Sequence, residues 1–156
     1  MNHIKNLIMA DFDTPHVKNI VLLGHSGSGK TSVAECMLYE AGIIPQRGSV
    51  KENNTTGDYH ELERERGNTI FSKLLHTHWR GYKINIIDTP GFSDFIGEVV
   101  SSLKVADNAV MVLNASTGVE VGTEQMFSYV EEFKVPLIFV VNQLDDDYAN
   151  FEATLK

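Results

Sequence analysis

The stretch Gly24-His25-Ser26-Gly27-Ser28-Gly29-Lys30-Thr31 constrains this chain more than any other. It fits the pattern of a glycine, four residues and Gly-Lys-Thr, and it joins an apolar run, Ile20-Val21-Leu22-Leu23, to a segment of helical period. Glycines at this spacing let the backbone curl closely enough for successive N–H groups to surround a phosphate. The helix N-terminus that follows adds partial positive charge. Lys30 then reaches the outer phosphates, and the Thr31 hydroxyl binds Mg²⁺. His25, Ser26, Gly27, Ser28, Gly29, Lys30, Thr31 and the next residue, Ser32, are the candidate nucleotide-binding residues. The alternative is a glycine-rich turn matching by chance; the strand before it and the helix after it weigh against that.

Around this stretch the sequence alternates strand and helix. Residues 18–23 read as a buried strand. Residues 31–41 read as a helix with Val33, Ala34, Met37, Leu38 and Ala41 on one face, closed by Gly42. Residues 43–68 have no clear period, and a loop that long is functional or disordered. Residues 69–79 and 82–88 form a hairpin pattern around Arg80-Gly81. A helix with Phe95, Ile96, Val99, Val100 and Leu103 on one face follows, then a strand at 108–114. A helix at 120–133 turns Met126, Val130 and Phe133 inward, a strand occupies 136–142, and a last helix begins near Tyr148. The expected fold is α/β, a three-layer P-loop NTPase with a mostly parallel sheet, one antiparallel edge strand and ligands at the carboxyl ends of the strands. Residues 1–17 read as an N-terminal extension packed by Ile4, Leu7 and Ile8, and residues 18–156 as one nucleotide-binding domain.

Two further motifs fall at strand ends. In Asp88-Thr89-Pro90-Gly91 the carboxylate can hold Mg²⁺ through its water shell, and the Gly91 N–H can approach a terminal phosphate. Alone, this is also a common way for a strand to end at a proline turn. In Asn142-Gln143-Leu144-Asp145 the carboxylate can accept both N1–H and the exocyclic amine of guanine, a pair of donors that adenine lacks. Composition narrows the rest. A net charge of -8 over 156 residues gives no general pull toward DNA or an anionic membrane. No apolar run is long enough to span a bilayer. The single cysteine, Cys36, fits a reducing compartment and reads as filler beside the inward helical face. His76 and His78 share a strand face but lack a third metal ligand, and Trp79 and Tyr82 read as packing residues.

With these motifs in order, the chain resembles the N-terminal part of the GTP-binding domain of translational GTPases, closest to elongation factor G and its divergent bacterial paralogues. The segment from Asp58 to Ile70, with its Glu65-Arg66-Gly67-Asn68-Thr69 core, resembles that family's first switch. The resemblance implies that Thr69 binds Mg²⁺ and the terminal phosphate, so that the preceding loop orders only in the triphosphate state. By the same resemblance Lys30, Thr69 and Gly91 serve catalysis, Thr31, Thr69 and Asp88 hold Mg²⁺, and Asn142, Gln143 and Asp145 read the base of GTP or GDP. The implied protein is a cytoplasmic GTPase whose partner is the ribosome, ribosomal RNA included.

The chain departs from the family pattern in one neighbourhood. Phe92 stands where the family has the His that positions the attacking water. Ser26 and Asn68 replace the apolar residues that flank that His, Gly27 replaces an Asp, and Gln143 replaces a Lys. Weak hydrolysis is therefore expected. Members of the family continue well past the Asn-x-x-Asp element, so the domain is expected to be incomplete at its C-terminus. Three roles fit: a ribosome-triggered GTPase, a GTP-dependent binding module, or a ribosome-protection or recycling factor.

Overall fold

The computed structural model describes residues 12–52, 54–57 and 69–155. Ile4, Leu7 and Ile8 of the expected extension lie outside them, as does most of the expected switch segment, residues 58–68. Among the described residues five strands form one sheet: β1 (Val17–Leu23), β2 (Lys73–Trp79), β3 (Tyr82–Asp88), β4 (Asn108–Asn114) and β5 (Leu137–Asn142). Their spatial order is β2-β3-β1-β4-β5. Of these five only β2 runs antiparallel, which makes it the expected antiparallel edge strand. Four described helices accompany the sheet: α1 (Lys30–Glu40), α2 (Ile96–Leu103), α3 (Val121–Phe133) and the single turn α4 (Phe151–Thr154).

Two-residue alternation sorts the strand side chains between two cores. Val21 and Leu23 of β1, with Met111 and Leu113 of β4, pack against Val99 and Leu103 of α2 and Met126 and Val130 of α3. Leu22 and Ile86 point the other way, onto Ala34 and Leu38 of α1. The result is the expected α/β/α sandwich. Among the described residues no helix is long and apolar enough to cross a membrane.

The elements differ from the sequence reading at their ends, for local reasons. β2 opens at Lys73 rather than at residue 69, because its partner runs out: Lys73 pairs with Asp88, after which Pro90 turns β3's chain away. The backbone before β2 is held elsewhere, with Ser72 N–H donating to Glu98 Oε2 at 2.9 Å. The expected last helix is only the turn α4. It is capped by Asn150, whose side chain accepts the Ala153 N–H, and Asp145 to Asp147 precede it as an exposed turn. The hairpin between β2 and β3 closes through Arg80 (φ 49°) and Gly81 (φ 84°), the geometry that matches strand twist. Trp79 and Tyr82 flank that turn half exposed, Trp79 beneath the Arg80 guanidinium at 5.8 Å and Tyr82 against the His16 ring at 5.1 Å. The packing expected of them is therefore partial. Phe12 lies on His78 with ring centroids 4.9 Å apart, so the residues just before β1 run beside the β2 edge.

Candidate functional site

All four parallel strands end at one side of the sheet, and β3 and β4 flank β1 from opposite sides. The turn after β1 therefore opens at the crevice where an α/β sheet collects its ligand. Gly29 caps α1 at φ 91°, where only glycine is unstrained, and a methyl there would also collide with the Asn142 amide. Gly27 has open space on its α-carbon side, so the crest of the turn faces the crevice.

Lys30 is buried and folds back over the turn, donating to the carbonyls of Gly24 at 2.8 Å and His25 at 3.0 Å. Burial lowers its pKa from 10.5 to about 8, against the opposing pull of Asp88. The ammonium thus sits in a poorly solvated place, held by two carbonyls and attracted by Asp88. Beside it the Thr31 hydroxyl donates to Asp88 Oδ2 at 2.7 Å, bringing together two of the three candidate Mg²⁺ ligands. The turn after β3 is locked by Thr89, whose hydroxyl donates to Leu22 O at 2.6 Å. Gly91 then passes so close that a methyl on it would sit 2.6 Å from both Lys30 Nζ and Ser26 N. No larger residue fits between lysine and turn.

The end of β5 grips the same turn from the other side. Asn142 Nδ2 donates to Ser28 O at 2.9 Å, and Gln143 Nε2 to Gly27 O at 2.8 Å. Gln143 sits at φ 60°, and its Oε1 accepts from Asn114 Nδ2 at 2.6 Å. His25 faces the N-terminus of α3, with Nε2 3.7 Å from Glu120 Oε1. Ser28 is buried beneath the turn.

A cavity of about 790 Å³ lies above these groups. Ser26, Gly27, Gly29, Lys30, Thr31, Ser32, Thr69, Gly91, Phe92, Asn142 and Gln143 line it. Thr69 is half-buried and stands free of the β2 ladder, so it is not the strand-opening residue its position also suggested. Asp145 is exposed and outside the lining. The far wall was not legible in the sequence: it is made by Arg47, Gly48, Ser49, Val50 and Lys51. Cys36 is not core filler but part of the lining, and its sulfur accepts from Arg47 Nη1 at 2.9 Å. Among the described residues no group of three or more potential ligands gathers around His76 and His78.

The cradle, the buried lysine and the hydroxyl–carboxylate pair converge on one class of ligand, and comparison with known families agrees. The model of the elongation factor Tu GTP binding domain matches residues 15–156. The chain belongs to this family. It is a GTP-binding domain, and its likeness extends to elongation factor G-like proteins. A mitochondrial ribosome-releasing factor 2 from Lodderomyces elongisporus is 42% identical over 94% of this chain and 18% of its own length. An elongation factor G-like protein from Thermotoga maritima is 41% identical over 88% of this chain and 19% of its own length. A crystal structure of a Thermus thermophilus protein superposes with a TM-score of 0.85 at 35% identity, over 90% of this chain and 21% of that one. The GTP-binding domain described here thus spans less than a fifth of the curated relatives it matches.

Proposed function

We propose that this GTP-binding domain is the nucleotide-operated switch of an elongation factor G-like translation factor that works on the ribosome, ribosomal RNA included, and that it hydrolyses GTP slowly. The observation that carries the reading is the cradle itself, with Lys30 folded under the turn and Thr31 held to Asp88 at 2.7 Å. An alcohol and a carboxylate are hard oxygen donors of the kind Mg²⁺ takes, so the residues present fit that ion, with Thr69 as a third ligand from the cavity wall. Mg²⁺ bound there offsets charge on the outer phosphates. Lys30 leaves the two carbonyls for those phosphates, and the Gly91 N–H, already against the turn, donates to the terminal one. Asn142 and Gln143 hold the turn in register, and Asp145 reads the base. Relatives named for ribosome release favour recycling of ribosomes as the second reading of the whole protein's role. The implied compartment is one with ribosomes: the cytoplasm, or the mitochondrion for which such relatives are named.

Slow turnover follows from Phe92. It lines the cavity directly after Gly91 and carries no hydrogen-bonding group, so it cannot orient an attacking water. Phosphoryl transfer relies on positioning and charge stabilisation. Lys30 still supplies the second, so residual turnover is expected. A lost positioning bond is worth about 2–4 kcal/mol, or roughly 30- to 1000-fold. Phe92→His is expected to restore only part of this, because polar Ser26 and Asn68 stand where the family has apolar flanks. The test is GTP turnover by the full-length protein with ribosomes, beside an ordinary elongation factor G. Equal rates for the two wild-type proteins would remove the claim of slow hydrolysis.

A further inference from the structure

We propose that Glu35 of α1 anchors the far wall of the nucleotide cavity, and that nucleotide leaves when this anchor lets go; the release step rests on reading the cavity as the GTP site. Glu35 is 1% exposed, an unusual place for a carboxylate unless its oxygens are satisfied. They are satisfied by distant residues. Oε1 accepts the Thr56 N–H at 2.5 Å, and Oε2 accepts the Gly48 N–H at 3.0 Å and the Thr56 hydroxyl at 3.3 Å. These donors lie 13 and 21 positions further along the chain, so the carboxylate closes a loop rather than supporting its own helix.

The closed loop is the wall. Gly48, Ser49, Val50 and Lys51 face the cavity directly beyond the first anchored amide. The loop's described residues are drawn together: Ser49 N–H donates to Asn54 Oδ1 at 2.6 Å, and a methyl on Gly48 would sit 2.6 Å from Asn54 O and Thr55 Cα. One side chain thus holds the described residues on both sides of this wall, Gly48 and Thr56. That side chain also sits on the phosphate-binding helix, five residues after Lys30, or roughly 7.5 Å along the axis. Opening the wall strips two backbone donors from a buried charge, which makes Glu35 a positioning residue for nucleotide exchange.

Glu35→Gln tests this in the full-length protein. The amide keeps the shape of the carboxylate but offers one acceptor oxygen, and its NH₂ group meets a backbone N–H as donor to donor. Thr56→Pro removes the same bond from the loop side and leaves α1 intact. For both variants the Gly48 amide is expected to exchange hydrogen about ten- to a hundred-fold faster. Bound GDP carrying a methylanthraniloyl fluorophore is expected to dissociate about ten-fold faster, with association changed less than about two-fold. A merely structural Glu35 would lower the unfolding midpoint and leave the dissociation rate of the folded protein alone. Wild-type dissociation from both variants, or unchanged exchange at Gly48, would overturn the anchor. A wild-type protein that binds neither GDP nor GTP would instead overturn the GTP reading, and the release step with it.

Discussion

Lys30→Ala is expected to abolish detectable binding of GTP and GDP, a loss of about a thousand-fold or more. The size follows from where the charge sits. Lys30 is 6% exposed, and an ion pair formed in such a place is far less screened than one in water. Among the described residues that line the cavity, the other basic ones, Arg47 and Lys51, belong to its far wall. Isothermal titration of the full-length variant with GDP and Mg²⁺ reads the loss. Wild-type affinity in that variant would refute the assignment of the turn as a phosphate cradle.

The same lysine makes binding depend on pH. Its folded pKa of about 8 lies below the ordinary 10.5, so between these values the unfolded chain holds more of the proton. The nucleotide-free protein therefore gains stability as pH rises through that window, and below about pH 8 it carries the full cost of the buried charge. Phosphates reverse the preference by pairing with the ammonium. Binding near pH 8–9 is thus expected to take up a proton, and affinity to fall as pH climbs above about 8. Titrations of the wild type with GDP in buffers of different ionisation enthalpy measure that uptake directly, and no uptake at pH 8–9 would overturn the assignment to Lys30.

Most of the frame was legible because its signals are local. β4 occupies the expected residues 108–114, since its apolar run is bounded by polar residues at both ends. The hairpin was legible in Arg80-Gly81 because a two-residue turn of that hand favours glycine. What the sequence hid was long-range. Nothing local says that β2 must wait for Lys73, because that limit is set by the end of its partner at Asp88. Glu35 lies outside the apolar stripe named for α1, and only the fold reveals the donors of Gly48 and Thr56. Arg47 and Lys51 sit in a stretch without period, so no pattern marked them as a wall of the cavity. The motifs name candidate residues but not the hydrogen bonds among them. Asn142 and Gln143 spend side-chain donors on the carbonyls of Ser28 and Gly27.

Those bonds set the expected outcome for Asp145. With Asn142 and Gln143 tied to the turn, the proposed reading leaves choice of base to the exposed carboxylate three residues past the end of β5. An ionised carboxylate only accepts hydrogen bonds. Guanine presents two adjacent donors, N1–H and the exocyclic amine, and both can be met; adenine presents a ring-nitrogen acceptor there, which repels the carboxylate. Asp145→Asn replaces one acceptor by a donor. Its NH₂ then opposes guanine's amine but suits xanthine, which carries a carbonyl at that position, while its oxygen still accepts N1–H. Hydrogen bonds to a charged group contribute about 1.5–3 kcal/mol each, and a mismatched donor pair adds a desolvation cost, so GTP affinity is expected to fall about a hundred-fold or more. Xanthosine triphosphate should become the preferred ligand over GTP. Because Asp145 is exposed, the substitution leaves the core untouched, and the unfolding midpoint should stay near that of the wild type. Competition of GTP, ATP and xanthosine triphosphate against a fluorescent nucleotide measures all three preferences. Equal affinity of the wild type for ATP and GTP, or a variant that still prefers GTP, would take base recognition away from Asp145.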